Sequence, residues 1–152
     1  MPVTFTLPDG INYVALPLIA PMYMLVWLYI MVGKHRKLSG IKYPQMYAEQ
    51  AQVEKSREAL LFNCAQRCHQ NTLETLPTIY VPALICATTY PRGAAVGVSL
   101  WCIGRVAYIL GYMSGDPAKR VNGVPWALGQ IAQMGMLLTA TYLAGKWAIA
   151  GL

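Results

Sequence analysis

Charge is what this sequence has least of. Asp, Glu, Lys and Arg make up 12% of its 152 residues, about half the roughly 25% of a typical soluble domain. Apolar residues make up 56%. So few charges do not cover a water-facing surface, which argues against an ordinary soluble domain. Acid is scarcer than base: six Asp and Glu stand against twelve Lys and Arg, a net charge of +6. That excess has no nucleic-acid motif and no basic-aromatic patch beside it, so nucleic acid is not an expected partner. Cysteine is also sparse. Cys86 and Cys102 fall inside apolar segments, while Cys64 and Cys68 form "CAQRC", one helical turn apart. No disulfide framework is expected where thiols stay reduced. Cys68-His69 has no second Cys/His cluster to complete a metal site, so no metal is expected.

Long apolar runs are abundant instead. Tyr13 to Gly33 is 21 residues without a charge, and a helix needs about 20 such residues to cross the hydrocarbon core. A second run centres on Leu76–Tyr90. A third, Gly93 to Gly115, carries only Arg105, and a fourth, from about Val124 to Ala150, only Lys146. The expected fold is an all-α integral membrane protein, a bundle of four transmembrane helices. One domain spans residues 1–152, with helices at about 11–34, 58–90, 93–115 and 124–150. The first run is too long for a signal-peptide core of about 7–15 residues and has only Asp9 before it, so it reads as a retained span. Residues 1–12 read as a short lumenal start broken by Pro2, Pro8 and Gly10. Pro17 and Pro21 are expected to bend the first helix, and Pro77 and Pro82 the second. The "AEQAQVEKSREALLFNCAQRCHQ" stretch has helical spacing and mixed charge, and reads as an amphipathic or solvent-exposed lead into the second helix. Gly93/Gly97 and Gly111/Gly115 have the small-xxx-small spacing of closely packed helices.

The basic residues set an orientation. Lys34, Arg36, Lys37, Lys42, Lys55 and Arg57 lie in the first loop, and Lys119 and Arg120 in the third. The second has Arg92 alone. The positive-inside rule places loops one and three in the cytosol and both termini in the lumen.

Ionisable groups inside a membrane bundle are costly and point to function. Arg67, Asn71 and Glu74 recur at i, i+4 and i+7, and Arg105, Tyr108 and Tyr112 at i, i+3 and i+7. Each row shares one helix face. Two such stripes on neighbouring helices line one cavity with guanidinium groups, phenols, an amide and a carboxylate. Arg grips carboxylates in bidentate fashion, Glu takes an ammonium, and Asn pairs with a peptide bond. A tripeptide such as glutathione presents all of these. A free thiol with pKa of about 8.5 is mostly protonated at neutral pH, and a nearby guanidinium favours the nucleophilic thiolate. A bland reading stands beside each: Arg67 and Glu74 as a simple ion pair, Tyr108 and Tyr112 as interface aromatics, His69 as a packing or surface histidine, and the acidic and basic residues between Glu49 and Glu58 as a solvated face.

"IKYPQMY" (Ile41–Tyr47), "FNCAQRCHQNTLE" (Phe62–Glu74), "YPRGAA" (Tyr90–Ala95) and "GRVAYILGYMSGDPAKR" (Gly104–Arg120) resemble the membrane-associated proteins in eicosanoid and glutathione metabolism, the MAPEG family. The resemblance covers most of the chain in the same order. It implies a homotrimer with glutathione, as co-substrate, bound between adjacent subunits near the cytosolic side. It implies glutathione conjugation to lipophilic electrophiles, reduction of lipid hydroperoxides, or leukotriene C4 synthesis, in the endoplasmic reticulum membrane or alternatively the mitochondrial outer membrane. Carried over by motif, Arg67, Asn71, Glu74, Arg105, Tyr108 and Tyr112 hold glutathione. Arg36 matches a basic contact at the end of the first helix, and His69 a polar contact residue in leukotriene C4 synthase. That enzyme's thiol-activating arginine aligns with Lys119 without a gap and with Arg120 after a one-residue shift. Arg120 is the assignment preferred here, because guanidinium stays charged and hydrogen-bonds as a fork. Thr75 departs from the pattern, standing where leukotriene C4 synthase has a tyrosine. Two other readings stand: a non-catalytic membrane scaffold, which needs no such polar set, and a small transporter, for which paired inverted repeats with broken helices are lacking.

Overall fold

A computed structural model describes residues 6–121 and 123–151; Pro2 lies outside them. Every regular element among the described residues is helical: α1 (Asn12–Ser39), α2 (Gln50–Val53), α3 (Arg57–Thr75), α4 (Pro77–Ala87), α5 (Pro91–Met113), a 3₁₀ turn (Pro117–Val121) and α6 (Val124–Ala150). Two of these, α1 and α5, are long and apolar enough to cross a membrane. At about 1.5 Å per residue, their 28 and 23 residues exceed the roughly 30 Å of a hydrocarbon core.

α1 is apolar all round, and its large side chains do not all face the bundle. Leu16, Ile19, Tyr23, Val26 and Ile30 are exposed, Leu16 by 78%, while Val14, Pro21, Met24 and Leu28 are buried. In water such a helix strands much of its apolar surface, and in a bilayer that face meets acyl chains. Ile131, Leu138 and Ile149 give α6 the same outward face. Pro21 removes the N–H that would pair with the Pro17 carbonyl, and one residue on the Tyr80 hydroxyl donates to the Leu18 carbonyl at 3.0 Å, tying α4 to α1. The helix ends at Gly40, whose φ of 68° lets its N–H close back onto the Lys37 carbonyl.

The stretch expected as one helix over 58–90 is divided. Pro77 has no N–H to give the α3 ladder, so α3 ends at Thr75 and α4 begins at Pro77 around a helical Leu76. Ser56 starts α3 by accepting from the Ala59 N–H at 3.3 Å. The segment before it forms only the single turn of α2.

α5 runs through the centre, against α1, α3, α4, α6 and the 3₁₀ turn. Trp101, Val98 and Ile79 are sealed between α5 and α4, and Met24, Leu28, Cys68, Tyr108 and Ile109 between α1, α3 and α5. One stripe of α5, Gly97, Gly104 and Gly111, repeats every seven residues and lets neighbouring chain approach closely. A Cβ on Gly104 would lie 2.7 Å from the Pro125 carbonyl oxygen and 3.0 Å from the Gly129 Cα. On Gly97 it would strike Met136. Gly97 and Gly104 lie in the α5–α6 seam and Gly111 against the 3₁₀ turn, while of the Gly93/Gly97 pair a Cβ on Gly93 would meet only Tyr90 at 3.7 Å.

Candidate functional site

The centre of the site is Arg105. It lies mid-way along α5 and is 6% exposed. Its Nε donates to Thr72 Oγ1 at 2.9 Å and its Nη2 to Asn71 Oδ1 at 2.6 Å. Thr72 is held for this task, since its hydroxyl also donates to the Cys68 carbonyl at 2.7 Å. The guanidinium rests 4.4 Å from the centre of the Tyr108 ring. Its partners are neutral: among the described residues no carboxylate lies within ion-pair distance of it. A buried cation without a counter-charge is costly, by several kcal/mol even after relaxation.

From Arg105 the site extends toward the end of α5. Tyr108 and Tyr112, one turn apart, meet edge to face with centroids 5.6 Å apart. Arg120, on the 3₁₀ turn, lies 5.6 Å from the centre of the Tyr112 ring and donates to the Pro117 carbonyl at 2.6 Å. Lys119 turns the other way, its ammonium 3.9 Å from Asp116 and largely exposed. The backbone therefore presents Arg120, and not Lys119, to the phenols.

On α3, Arg67 and Glu74 pair with each other at 3.2 Å across two turns. Their side chains are 42% and 47% exposed, so this is an open pair on the surface of the groove. Seven predicted residues are thus brought together: Arg67, Asn71 and Glu74 on one wall, Arg105, Tyr108 and Tyr112 on the other, and Arg120 at the end.

Two predicted residues stand apart. His69 is half-buried on α3 and takes part in none of these bonds. Arg36 is 8% exposed and committed elsewhere. Its Nη1 donates to the carbonyls of Gln45, at 2.8 Å, and Ile41, at 3.4 Å. Its guanidinium lies 4.2 Å from the Tyr43 ring centre and 4.5 Å from that of Phe62. The same loop is tied to α3 by Asn63, which exchanges two hydrogen bonds with the Ala48 backbone, and by Tyr47, whose hydroxyl donates to Gln70. The Arg36 Nε and the neighbouring His35 Nδ1 are buried without a partner. Burial, and then the adjacent Lys34 ammonium, pushes the His35 imidazole below its ordinary pKa.

Thr72 escaped the sequence reading. It sits beside the Arg67 row rather than on it, and its only signal was a hydroxyl next to Asn71 in a stretch already rich in polar groups. A cavity of about 730 Å³ lies at the opposite end of α5, between Tyr13, Leu16 and Pro17 of α1 and Ala95, Val96 and Leu100 of α5. It shares no residue with the polar groove.

The sequence matches the profile of the MAPEG family over residues 14–142, which takes in α1, both walls of the groove, Arg120 and most of α6. The described residues are all-helical in their regular elements and include two span-length apolar helices, which is consistent with a membrane family. With the match running over most of its length, this chain belongs to the MAPEG family.

Proposed function

We propose that this chain is a glutathione-dependent membrane transferase or peroxidase, resembling in its motifs the microsomal glutathione S-transferases of type 3. The observation that carries the reading is Arg105: a buried guanidinium held by Asn71 and Thr72, with no carboxylate among the described residues to balance it. A fixed, desolvated cation in a groove is an anion site, and the family includes glutathione transferases and peroxidases as well as non-catalytic members. In this reading Arg67 and Arg105 take the carboxylates of glutathione, Glu74 its ammonium, and Asn71 a peptide group. His69 is a weaker contact. Arg36 supports the groove through the loop it pins.

Arg120 holds the sulfur. The thiol loses its proton to water, and the guanidinium stabilises the thiolate that remains. In conjugation the thiolate forms a C–S bond to an electrophilic carbon, and the leaving group departs with the electron pair of the bond it breaks. In peroxide reduction the thiolate attacks the distal hydroperoxide oxygen. The O–O bond breaks, the alkoxide takes a proton to become the alcohol, and glutathione is oxidised to its sulfenic acid. A second glutathione converts that to the disulfide and water. The electrophile or lipid hydroperoxide arrives from the bilayer.

The assembly that suits this chemistry is a homotrimer of four-span subunits, with α3 and α4 together forming the second span and α6 the fourth, and glutathione between neighbouring subunits. Loops one and three face the cytosol, and the endoplasmic reticulum is the favoured membrane, with the mitochondrial outer membrane the alternative.

The test is made on the purified full chain in detergent. Calorimetry measures glutathione binding; turnover is followed with a chloro-nitrobenzene electrophile and with a fatty-acid hydroperoxide. Binding with turnover of either substrate is expected. A well-folded protein that binds no glutathione points to the second reading, a non-catalytic scaffold. One feature favours that reading: Arg67 and Glu74 already satisfy each other.

A further inference from the structure

We infer that Gly111 is a positioning residue for Arg120, fixing where that guanidinium stands relative to Tyr112; the inference rests on the function proposed above. The 3₁₀ turn lies directly on α5 at this point. A Cβ on Gly111 would fall 2.3 Å from the Lys119 carbonyl oxygen, 2.8 Å from its carbonyl carbon and 3.1 Å from the Arg120 Cα. All three are backbone atoms, so no rotamer change makes room. The turn itself would have to move, by about 1 Å to restore ordinary contact distances.

The turn is also braced to move as one body. Ser114 Oγ donates to the Gly111 carbonyl at 2.7 Å and accepts from the Asp116 N–H at 3.3 Å. Asp116 Oδ1 accepts from the Ala118 N–H, and its carbonyl from the Lys119 N–H at 3.0 Å. Arg120 then folds back onto the Pro117 carbonyl. Gly115, at φ +83°, makes the sharp reversal from α5 that a side chain would strain. A push at Gly111 is therefore passed to the Arg120 guanidinium, while Arg105 lies six residues back along α5, more than one turn away. Gly111 touches neither thiol nor electrophile; it acts through Arg120. A displacement of about 1 Å at a group that stabilises reacting charge can cost about a hundredfold in rate.

The experiment compares wild type, Gly111→Ala, Arg120→Ala and the double variant as full chains in detergent. The readouts are thiolate difference absorbance on adding glutathione, its pH midpoint, calorimetric glutathione affinity, and kcat with the chloro-nitrobenzene electrophile. For Gly111→Ala the expected result is glutathione affinity within about threefold of wild type, a thiolate midpoint moved to higher pH, and kcat lowered at least tenfold. The double variant is expected to fall no further than Arg120→Ala. Gly135→Ala, where an added Cβ meets nothing within 4 Å, serves as the helix-glycine control. Ser114→Ala loosens the same turn without adding an atom, so it reports even where Gly111→Ala does not fold; a smaller upward shift of the midpoint at unchanged affinity is expected. A wild-type thiolate midpoint in both variants, or losses at Gly111 and Arg120 that add independently, overturns the positioning role alone. A wild type with no thiolate signal removes the function beneath it, and the positioning role with it.

Discussion

Two buried arginines, Arg36 and Arg105, show what burial of a charge does and does not say about function. Both are under 10% exposed, and both rest on aromatic rings. Arg36 stands in the last turn of α1, where the negative end of the helix dipole offsets its charge. Its hydrogen bonds go to main-chain carbonyls of the loop that follows. It holds the fold. Arg105 stands mid-helix, away from either dipole end, and bonds only to the side chains Asn71 and Thr72. The Tyr108 ring lies 4.4 Å from its guanidinium, but no carboxylate among the described residues pairs with it. What separates the two is whether the fold already answers the charge, and that difference is open to direct attack.

The largest expected effect is structural. Arg36→Leu leaves the Gln45 and Ile41 carbonyls without their donor and removes the cation between Tyr43 and Phe62. Each orphaned buried acceptor costs about 1–3 kcal/mol, so a loss of about 2–4 kcal/mol in unfolding free energy is expected, read as a lowered thermal midpoint in detergent. Glutathione affinity of the folded fraction should stay within about threefold. A tenfold weaker affinity with an unchanged midpoint would put Arg36 in the binding site and erase the contrast.

Arg105→Leu should give the opposite pattern. The desolvation cost of a buried cation leaves while Asn71 and Thr72 lose their donor, so the two effects oppose and the thermal midpoint should move less than in Arg36→Leu. Glutathione affinity should fall by about 30–100-fold, or about 2–3 kcal/mol, the usual worth of a buried charge-assisted hydrogen bond. Calorimetry and a melting curve on the same preparation separate the two outcomes. A destabilised protein that binds normally would make Arg105 a second structural arginine.

Much of this arrangement was readable from the chain. Both polar stripes followed from helical periodicity, most plainly on α5, where Arg105 stands in an otherwise apolar stretch. The two span-length helices, α1 and α5, followed from the apolar runs Tyr13–Gly33 and Gly93–Gly115. The division at Leu76 was half visible: Pro77 marked a kink, but whether α3 and α4 part there depends on how the neighbouring helices pack. The inward turn of Arg36 was not legible. "KHRK" offers four consecutive polar residues, and which of them turns inward depends on a ring, Phe62, that lies 26 positions away. The sequence offered the Gly93/Gly97 and Gly111/Gly115 spacings; that Gly104 packs on Pro125 and Gly129, and Gly111 on Lys119, is set by tertiary packing. The choice between Lys119 and Arg120 was likewise open in the sequence, since the register of a 3₁₀ turn against a helix is a matter of contact.

A smaller effect is expected at the exposed pair. Arg67→Ala breaks a half-exposed ion pair, and such pairs contribute about 0–1 kcal/mol to stability, so the thermal midpoint should barely move. Under the proposed function Arg67 exchanges Glu74 for a glutathione carboxylate, and its loss should weaken binding by about five- to tenfold. Glu74→Gln tests the same exchange from the other side. If Glu74 serves only to neutralise Arg67, its removal frees the guanidinium and tightens binding. If it receives the glutathione ammonium, binding weakens. The sign of the change, measured by calorimetry, decides between them.

The smallest effect is expected where the sequence left the choice most open. Lys119→Ala removes an ammonium that is largely exposed and 3.9 Å from Asp116. Such a pair is screened by water and salt and adds little to stability. The Lys119 carbonyl, which rests on Gly111, is main chain and survives the substitution. So the turn should keep its place, Arg120 should keep its position beside Tyr112, and both kcat and the thiolate midpoint should stay within about twofold and a few tenths of a pH unit of wild type. A loss of thiolate signal in Lys119→Ala with Arg120→Ala intact would mean that the turn rotates when glutathione binds, carrying the ammonium inward and the guanidinium out. The arrangement of Arg120, Tyr112 and Gly111 would then describe a resting state, and the contact at Gly111 would be the pivot of that rotation.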